Sequence, residues 1–247
     1  MSILKFIDTP SPNYDERTLP ISLLVLHYTG METGDVALER MCDPEAKVAA
    51  HYMVEEDGRV FRLVDENKRA WHAGVSSWAG ETNINSASIG IEIVNGGRDF
   101  GLPDFPSEQI KAVISLCQDV MKRNNINDFD VVAHSDIAPA RKQDPGEKFP
   151  WAKLADANIG IWPEVKTKDQ RILINKQDSH ENQIKLVQRA FKYLGYGVGV
   201  YGNLDNVTIS VIEAFQRRYR PFKVDGLLDV ETLALLTLLV NYKQKHV

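Results

Sequence analysis

Three side chains in this sequence are of the types that hold a catalytic metal, and each sits where a rigid scaffold could present it. His27 closes ISLLVLH (21–27), a β-prone apolar run after Pro20 that reads as a strand buried on both faces. His134 closes a second such run, DVVAH (130–134). Asp144 lies ten positions further on, in AHSDIAPARKQDPG (133–146). Pro139 and Pro145 punctuate that loop, and the Pro145 ring restricts the aspartate's backbone. Two imidazoles and one carboxylate make three protein ligands and leave the fourth tetrahedral position open, the pattern of a catalytic zinc site and not a structural one. Imidazole donors favour zinc over magnesium. Taken singly, either histidine reads more readily as a hydrogen-bonded core residue, so the metal reading rests on the combination.

Other candidates flank these three. In ASIGIEIVN (87–95), Ile89, Ile91 and Ile93 share one face of a strand, and Ser88, Gly90, Glu92 and Val94 share the other. If the isoleucines face the core, Glu92 faces a cleft, where a carboxylate can take a proton from an activated water and pass it to a leaving amine. The plainer alternative is a solvated glutamate on a sheet face. Lys142 stands two residues before Asp144 and would bring a cation close to the oxyanion formed when water adds to a carbonyl. Arg141 is an equal candidate for that part, and a surface lysine is the plain reading. Trp71 and His72, in AWHAG (70–74), could line a sugar or peptide groove. A buried tryptophan beside a turn would look the same.

The elements that must position these residues follow from periodicity. HYMVEEDGRVFRLV (51–64) reads as two strands around the hairpin signal Asp57-Gly58. SEQIKAVISLCQDVMKR (107–123) is apolar at Ile110, Val113, Ile114, Cys117, Val120 and Met121, a helical stripe that makes Cys117 a buried thiol. Strands interleaved with helices predict an α/β fold, a mixed central β-sheet flanked by helices. The text turns irregular from about 158, and a linker is expected near 170–181. Three helices follow, over 181–197 with Gly195 as the stop, 206–220, and 229–242 with Asp229 as N-cap. Residues 1–175 are thus expected to form the catalytic domain and 181–247 a small three-helix domain, whose core is marginal by size.

Composition narrows the function classes. The chain has 247 residues, 43% hydrophobic and 26% charged, with a formal net charge of −5. No basic domain stands out, which argues against nucleic acid as a partner. The densest basic cluster, QRRYR (216–220), is short and reads as a helix face. Two cysteines, Cys42 and Cys117, do not make a disulfide scaffold, and whether they pair is not legible from spacing. No window approaches the roughly 18 apolar residues of a membrane span. The first twenty residues lack the apolar core of a signal peptide.

The same residues carry a family resemblance. HYT (27–29), AWHAGVS (70–76), SIGIEIVN (88–95) and AHSDIAPARKQDPG resemble the zinc-dependent N-acetylmuramoyl-L-alanine amidases of the AmpD/AmiD type, which share the peptidoglycan-recognition-like fold. PSPNYD (10–15) is similar to the start of that family, and IGIWP (159–163) and the short segment between His27 and His51 are similar to its AmiD branch. AFQRRYRPFKVDGLLDVETLALL (214–236) resembles a three-helix peptidoglycan-binding domain. The resemblance implies one zinc at the edge of a mixed sheet, held by His27, His134 and Asp144. It implies Glu92 as general base, Lys142 as oxyanion stabiliser, and Trp71 and His72 in the substrate groove. The implied reaction is hydrolysis of the amide joining the lactyl group of N-acetylmuramic acid to L-alanine. The implied substrates are peptidoglycan or muropeptides, the 1,6-anhydro form included. A periplasmic or envelope location follows from that substrate, while the missing leader leaves a cytoplasmic one open. Two other readings stand beside this one. A recognition module would hold muropeptides without cutting them. A zinc hydrolase for another amide is disfavoured by the absence of an HExxH helix. The apolar stripes of the helical domain would be core whether or not it binds wall polymer.

Overall fold

The apolar runs picked out by pattern lie side by side in one sheet. The computed structural model describes residues 4–165, 169, 171–174 and 180–246. Its chain divides into two compact units.

The first unit takes in the chain up to Ser76, Asn83–His134 and Asp144–Ile161. It begins with β1 (Phe6–Asp8), β2 (Tyr14–Glu16) and β3 (Leu23–Tyr28). Helix α1 (Gly34–Cys42) follows, capped by Thr33, whose side chain accepts from the Val36 backbone N–H. Next come β4 (Tyr52–Val54), β5 (Val60–Arg62), β6 (Lys68–Ala70), the short α2 (Ile84–Ala87) and β7 (Ser88–Ile93). Helix α3 (Ser107–Asn124) leads to β8 (Val131–Ala133), to the first residue of α4 (His134–Ile137) and, from Asp144 on, to α5 (Trp151–Asp156).

Six strands form the sheet in the order β1-β5-β4-β7-β3-β8. The four strands β4, β7, β3 and β8 run parallel, and β5 turns back against β4 through the expected hairpin. The two central strands are apolar because both of their faces are covered. Leu24, Val25, Leu26, Ile89, Ile91 and Ile93 are all fully buried. Each such side chain contributes about 1.5–3 kcal/mol by leaving water. Helix α3 buries Ile110, Val113, Cys117 and Val120 of the stripe its spacing predicts, together with Leu116, while Ile114 and Met121 at the edge of that stripe are half-buried. Cys42 and Cys117 are both free thiols.

The second unit gathers Ser77–Thr82, Ser135–Gln143 and the chain from Trp162 on. Its helices are α6 (Glu181–Leu194), α7 (Asn206–Tyr219) and α8 (Val230–His246). Asp229 caps α8 as expected, its Oδ1 accepting from the Thr232 N–H at 2.9 Å. Gly195 ends α6 at φ 127°, and a Cβ there would fall 2.6 Å from the Trp78 ring. The stretch expected as linker contains a strand, β9 (Ile172–Ile174), which pairs antiparallel with β10 (Leu228–Asp229). Its partner lies far downstream, so no local pattern announces the pairing. Residues 170 and 175–179 of that stretch lie outside the described residues.

The basic cluster of α7 is not a solvated face. Arg217, Arg218 and Arg220 are 4%, 4% and 0% exposed. Arg220 pairs with Asp229 and Asp225. Arg218 Nη1 donates to Asp136 Oδ2 at 2.7 Å, and the Tyr196 hydroxyl donates to Asp136 Oδ1 at 2.9 Å. Burial, with Asp136 beside it, holds the Tyr196 hydroxyl protonated and hence a donor. Among the described residues no helix is long and apolar enough to cross a membrane.

Removing one partner of a buried ion pair leaves the other charge uncompensated, at a cost of about 3–5 kcal/mol. Arg218→Met should therefore lower the urea unfolding free energy of the full chain by that amount. Arg189→Met, at an exposed position of α6, should change it by less than about 0.5 kcal/mol. Equal effects from the two variants would contradict the assignment.

Candidate metal centre

Register brings the candidate residues together. Strand β3 pairs with β7 so that His27 stands opposite Glu92, and with β8 so that Leu26 stands opposite Ala133. His134 is the next residue after Ala133 and opens α4. Three neighbouring parallel strands, about 4.8 Å apart, thus carry Glu92 and His27 as the next-to-last residues of two and His134 just past the end of the third. The carboxyl ends of parallel strands are where α/β sheets place their ligands.

Asp144 completes a cluster from the loop. His27 Nδ1 and His134 Nδ1 are 2.8 Å apart, and Asp144 Oδ2 lies 3.2 Å from the first and 2.9 Å from the second. All three residues are buried. Burial alone would raise the Asp144 carboxyl, but imidazoles of His134 and His27 that carry a proton and donate it to Asp144 would hold it well below the usual carboxylate range. These edges resemble those of a tetrahedron with bonds of about 2.0 Å, whose edges are about 3.3 Å. The donor set therefore fits a zinc-sized ion with two nitrogens and one oxygen.

Glu92 is half-buried on β7 and lines a cavity of about 320 Å³ with Thr29, Met31, Met41 and Val48, Arg40 lying along the same wall. A larger hollow of about 620 Å³ lies against Asp57, Arg59, Glu108 and Lys111, with no such donor set. Lys142 is half-buried in the turn after α4, its backbone N–H donating to the Ala138 carbonyl at 2.9 Å. Trp71 is half-buried, and its carbonyl accepts from the Ala49 N–H at 3.1 Å.

His72 lies in the interior, against one of the cluster's histidines. It is 5% exposed, and its Nδ1 lies 3.0 Å from His27 Nε2. Desolvation in this interior, with His27 and His51 nearby, keeps the His72 imidazole neutral far below its ordinary range. Its neighbour along the chain, Ala73, offers its carbonyl to His134 Nε2 at 3.1 Å. Three residues that sequence reasoning passed over complete the surroundings. Asn85 Oδ1 accepts the backbone N–H groups of His72 and Ala73 at 3.0 and 2.7 Å. Ser88 Oγ lies 3.2 Å from His72 Nε2. Gly90 makes room, since a Cβ there would fall 2.5 Å from His72 Cγ. The one available signal was that Ser88 and Gly90 share the Glu92 face of β7.

Comparison with known proteins decides the family. The N-acetylmuramoyl-L-alanine amidase family profile matches residues 17–147, more than half of the chain. The chain belongs to the N-acetylmuramoyl-L-alanine amidase family. A profile for a peptidoglycan binding domain matches residues 180–236. Among curated members, N-acetylmuramoyl-L-alanine amidase AmiD of Escherichia coli is 38% identical over 237 residues, 91% of this chain and 84% of that one. The E. coli 1,6-anhydro-N-acetylmuramyl-L-alanine amidase AmpD is 35% identical over 59% of this chain and 87% of its own. In three dimensions, AmiD from E. coli, solved with anhydro-N-acetylmuramic acid-L-Ala-D-gamma-Glu-L-Lys, superposes with a TM-score of 0.77. The match covers 94% of this chain and 98% of that one, at 31% identity. AmpDh3 from Pseudomonas aeruginosa gives 0.74 at 33% identity, with 95% of each chain covered.

The family fold here includes a second buried histidine beside the cluster. His51 Nδ1 accepts the Gly90 N–H at 3.0 Å, so Nε2 carries the proton and donates to the Lys68 carbonyl at 3.1 Å. Burial, with the Arg17 guanidinium alongside, pushes its pKa from 6.5 down to about 4. The unfolded chain therefore takes up a proton first as pH falls. His51 costs nothing above pH 6.5 and destabilises the fold progressively from there down to about 4, by up to about 3 kcal/mol. His51→Gln keeps one acceptor and one donor but does not titrate. Urea unfolding between pH 7 and 4 should show a shallower acid loss for the variant, and parallel curves would contradict this account.

Proposed function

We propose that this protein is a zinc-dependent N-acetylmuramoyl-L-alanine amidase that hydrolyses the bond between the lactyl group of N-acetylmuramic acid and L-alanine. Peptidoglycan and muropeptides, the 1,6-anhydro form included, are the proposed substrates. The observation that carries this reading is the buried His27, His134 and Asp144 cluster, set beside Glu92 on adjoining strands in a chain of this family. AmiD, solved with an anhydro-muramyl peptide, supports the substrate class. The proposed catalytic domain is residues 1–175. Residues 181–247 are proposed as a wall-binding domain, and the cell envelope as the place of action.

In this reading His27, His134 and Asp144 hold one zinc, and their donor set suits it. A zinc ion so held supplies Lewis-acid polarisation of the amide carbonyl and acidifies water. The chain's own groups do the rest. Glu92 takes a proton from the attacking water and returns it to the leaving L-alanine nitrogen. Lys142 supplies positive charge to the oxygen that becomes negative during attack. Asp144, held ionised, neutralises part of the metal's charge without needing to lose a proton at neutral pH. Trp71 is the proposed aromatic wall of the groove.

The test is incubation with sacculi and with anhydro-muropeptides, followed by mass spectrometry. Free stem peptides beginning at L-alanine should appear only with metal and vanish with a chelator. Glu92→Gln should lower kcat about 10²–10⁴-fold with a smaller change in KM. Lys142→Met should lower kcat about 10²–10³-fold. No free peptide from zinc-loaded protein on either substrate would overturn the enzyme and leave a recognition module in its place.

A further inference from the structure

His72, Ser88 and Asn85 take no part in the chemistry above, yet they are buried polar groups joined to the backs of both histidine ligands. We infer that the His72-Ala73 segment, clamped by Asn85, is the orienting shell of the metal centre, and that His72 is a positioning residue that sets which nitrogen of His27 faces the ion. This rests on the reading of His27, His134 and Asp144 as ligands.

The direction of each hydrogen bond follows from the end of the chain of contacts. The Ile84 carbonyl can only accept, so the Ser88 hydroxyl donates to it at 2.5 Å. The Ser88 oxygen is then left to accept from His72 Nε2–H at 3.2 Å. A neutral His72 protonated at Nε2 has a bare Nδ1, which accepts from His27 Nε2–H at 3.0 Å. His27 Nδ1 is consequently bare, and it faces His134 Nδ1 and Asp144 Oδ2. A backbone carbonyl three bonds away thus selects the tautomer of a metal ligand.

The second ligand is oriented by the same short segment. The Ala73 carbonyl accepts from His134 Nε2–H at 3.1 Å and leaves His134 Nδ1 bare toward Asp144. Asn85 accepts both backbone N–H groups of this dipeptide, so one side chain fixes the acceptors of both ligands. Outer-shell partners of this kind hold ring orientation and raise ligand basicity, and their loss typically weakens metal binding 10–100-fold.

Two measurements on the full chain test the inference. The first is long-range ¹H–¹⁵N NMR of the zinc-loaded wild type, which should show His72 as the Nε2–H tautomer. His72 protonated at Nδ1 would place two N–H groups face to face and would overturn the assignment. The second is zinc affinity by chelator competition. His72→Phe keeps the volume but removes the acceptor and should bind zinc about 10–100-fold more weakly. His72→Gln, which restores an acceptor, should recover part of that loss. A folded His72→Phe protein with wild-type zinc affinity would overturn the inference while leaving the amidase reading intact. A wild-type protein that binds no zinc would remove the amidase reading itself. If His72→Phe does not fold, the smaller Ser88→Ala change takes its place. It should shift His72 away from pure Nε2–H and weaken zinc binding several-fold, and an unmoved tautomer and affinity would count against the inference.

Discussion

The parallel register of β7, β3 and β8 is the constraint on which the rest of this molecule depends. Side chains along a strand alternate between faces, so a slip of one residue would carry His27 to the opposite face of the sheet. What forbids the slip is the burial of both faces. Leu24, Val25, Leu26, Ile89 and Ile91 are all fully enclosed, and a one-residue shift of β7 would exchange Ile89, Ile91 and Ile93 for Ser88, Gly90 and Glu92. The chemistry-bearing residues therefore inherit their positions from an apolar core that has no chemistry of its own. His27 and Glu92 stand abreast because the isoleucines and leucines preceding them do.

The core also has to accommodate polar groups, and it does so by joining them end to end. His27, His72 and Ser88 form one series that finishes on the Ile84 carbonyl. His51 lies beside it, satisfied by the Gly90 N–H and the Lys68 carbonyl. A buried polar group without a partner costs about 1–3 kcal/mol, and a fully satisfied network restricts the core to one arrangement. Under the proposed function that restriction has a reading, because the series through His72 ends on His27, a member of the cluster that could hold a metal. Gly90 lets a strand, and not a loop, carry the arrangement, since His72 occupies the volume a side chain would need.

The helical unit solves a different problem with the same tools. Three helices of this size enclose little apolar volume. The unit supplements its aromatic centre of Phe191, Tyr196 and Phe215 with Arg218 on Asp136 and Arg220 on Asp229. Such pairs add little net stability over apolar residues of equal volume, but they penalise every arrangement in which one partner is left alone.

Much of this was legible in the chain. Alternation at Ile89, Ile91 and Ile93, the hairpin signal at Asp57-Gly58 and the stripe of α3 are local patterns, and local patterns survive folding because burial acts on them directly. The cluster of His27, His134 and Asp144 was legible as two imidazoles at strand ends, which the sheet sets side by side, and a carboxylate in the proline-punctuated loop that follows. Partner choice was not legible. The sequence shows His72 beside Trp71, and only the fold reveals that it meets His27, 45 residues away. It shows a basic QRRYR that ought to seek water, whereas Asp136, 82 residues from Arg218, waits inside. Strand β9 is likewise invisible without β10. Residue types and their periods determined the elements, the core and the class of chemistry. Only the tertiary structure decided which polar groups meet, because those contacts join positions whose separation along the chain carries no period.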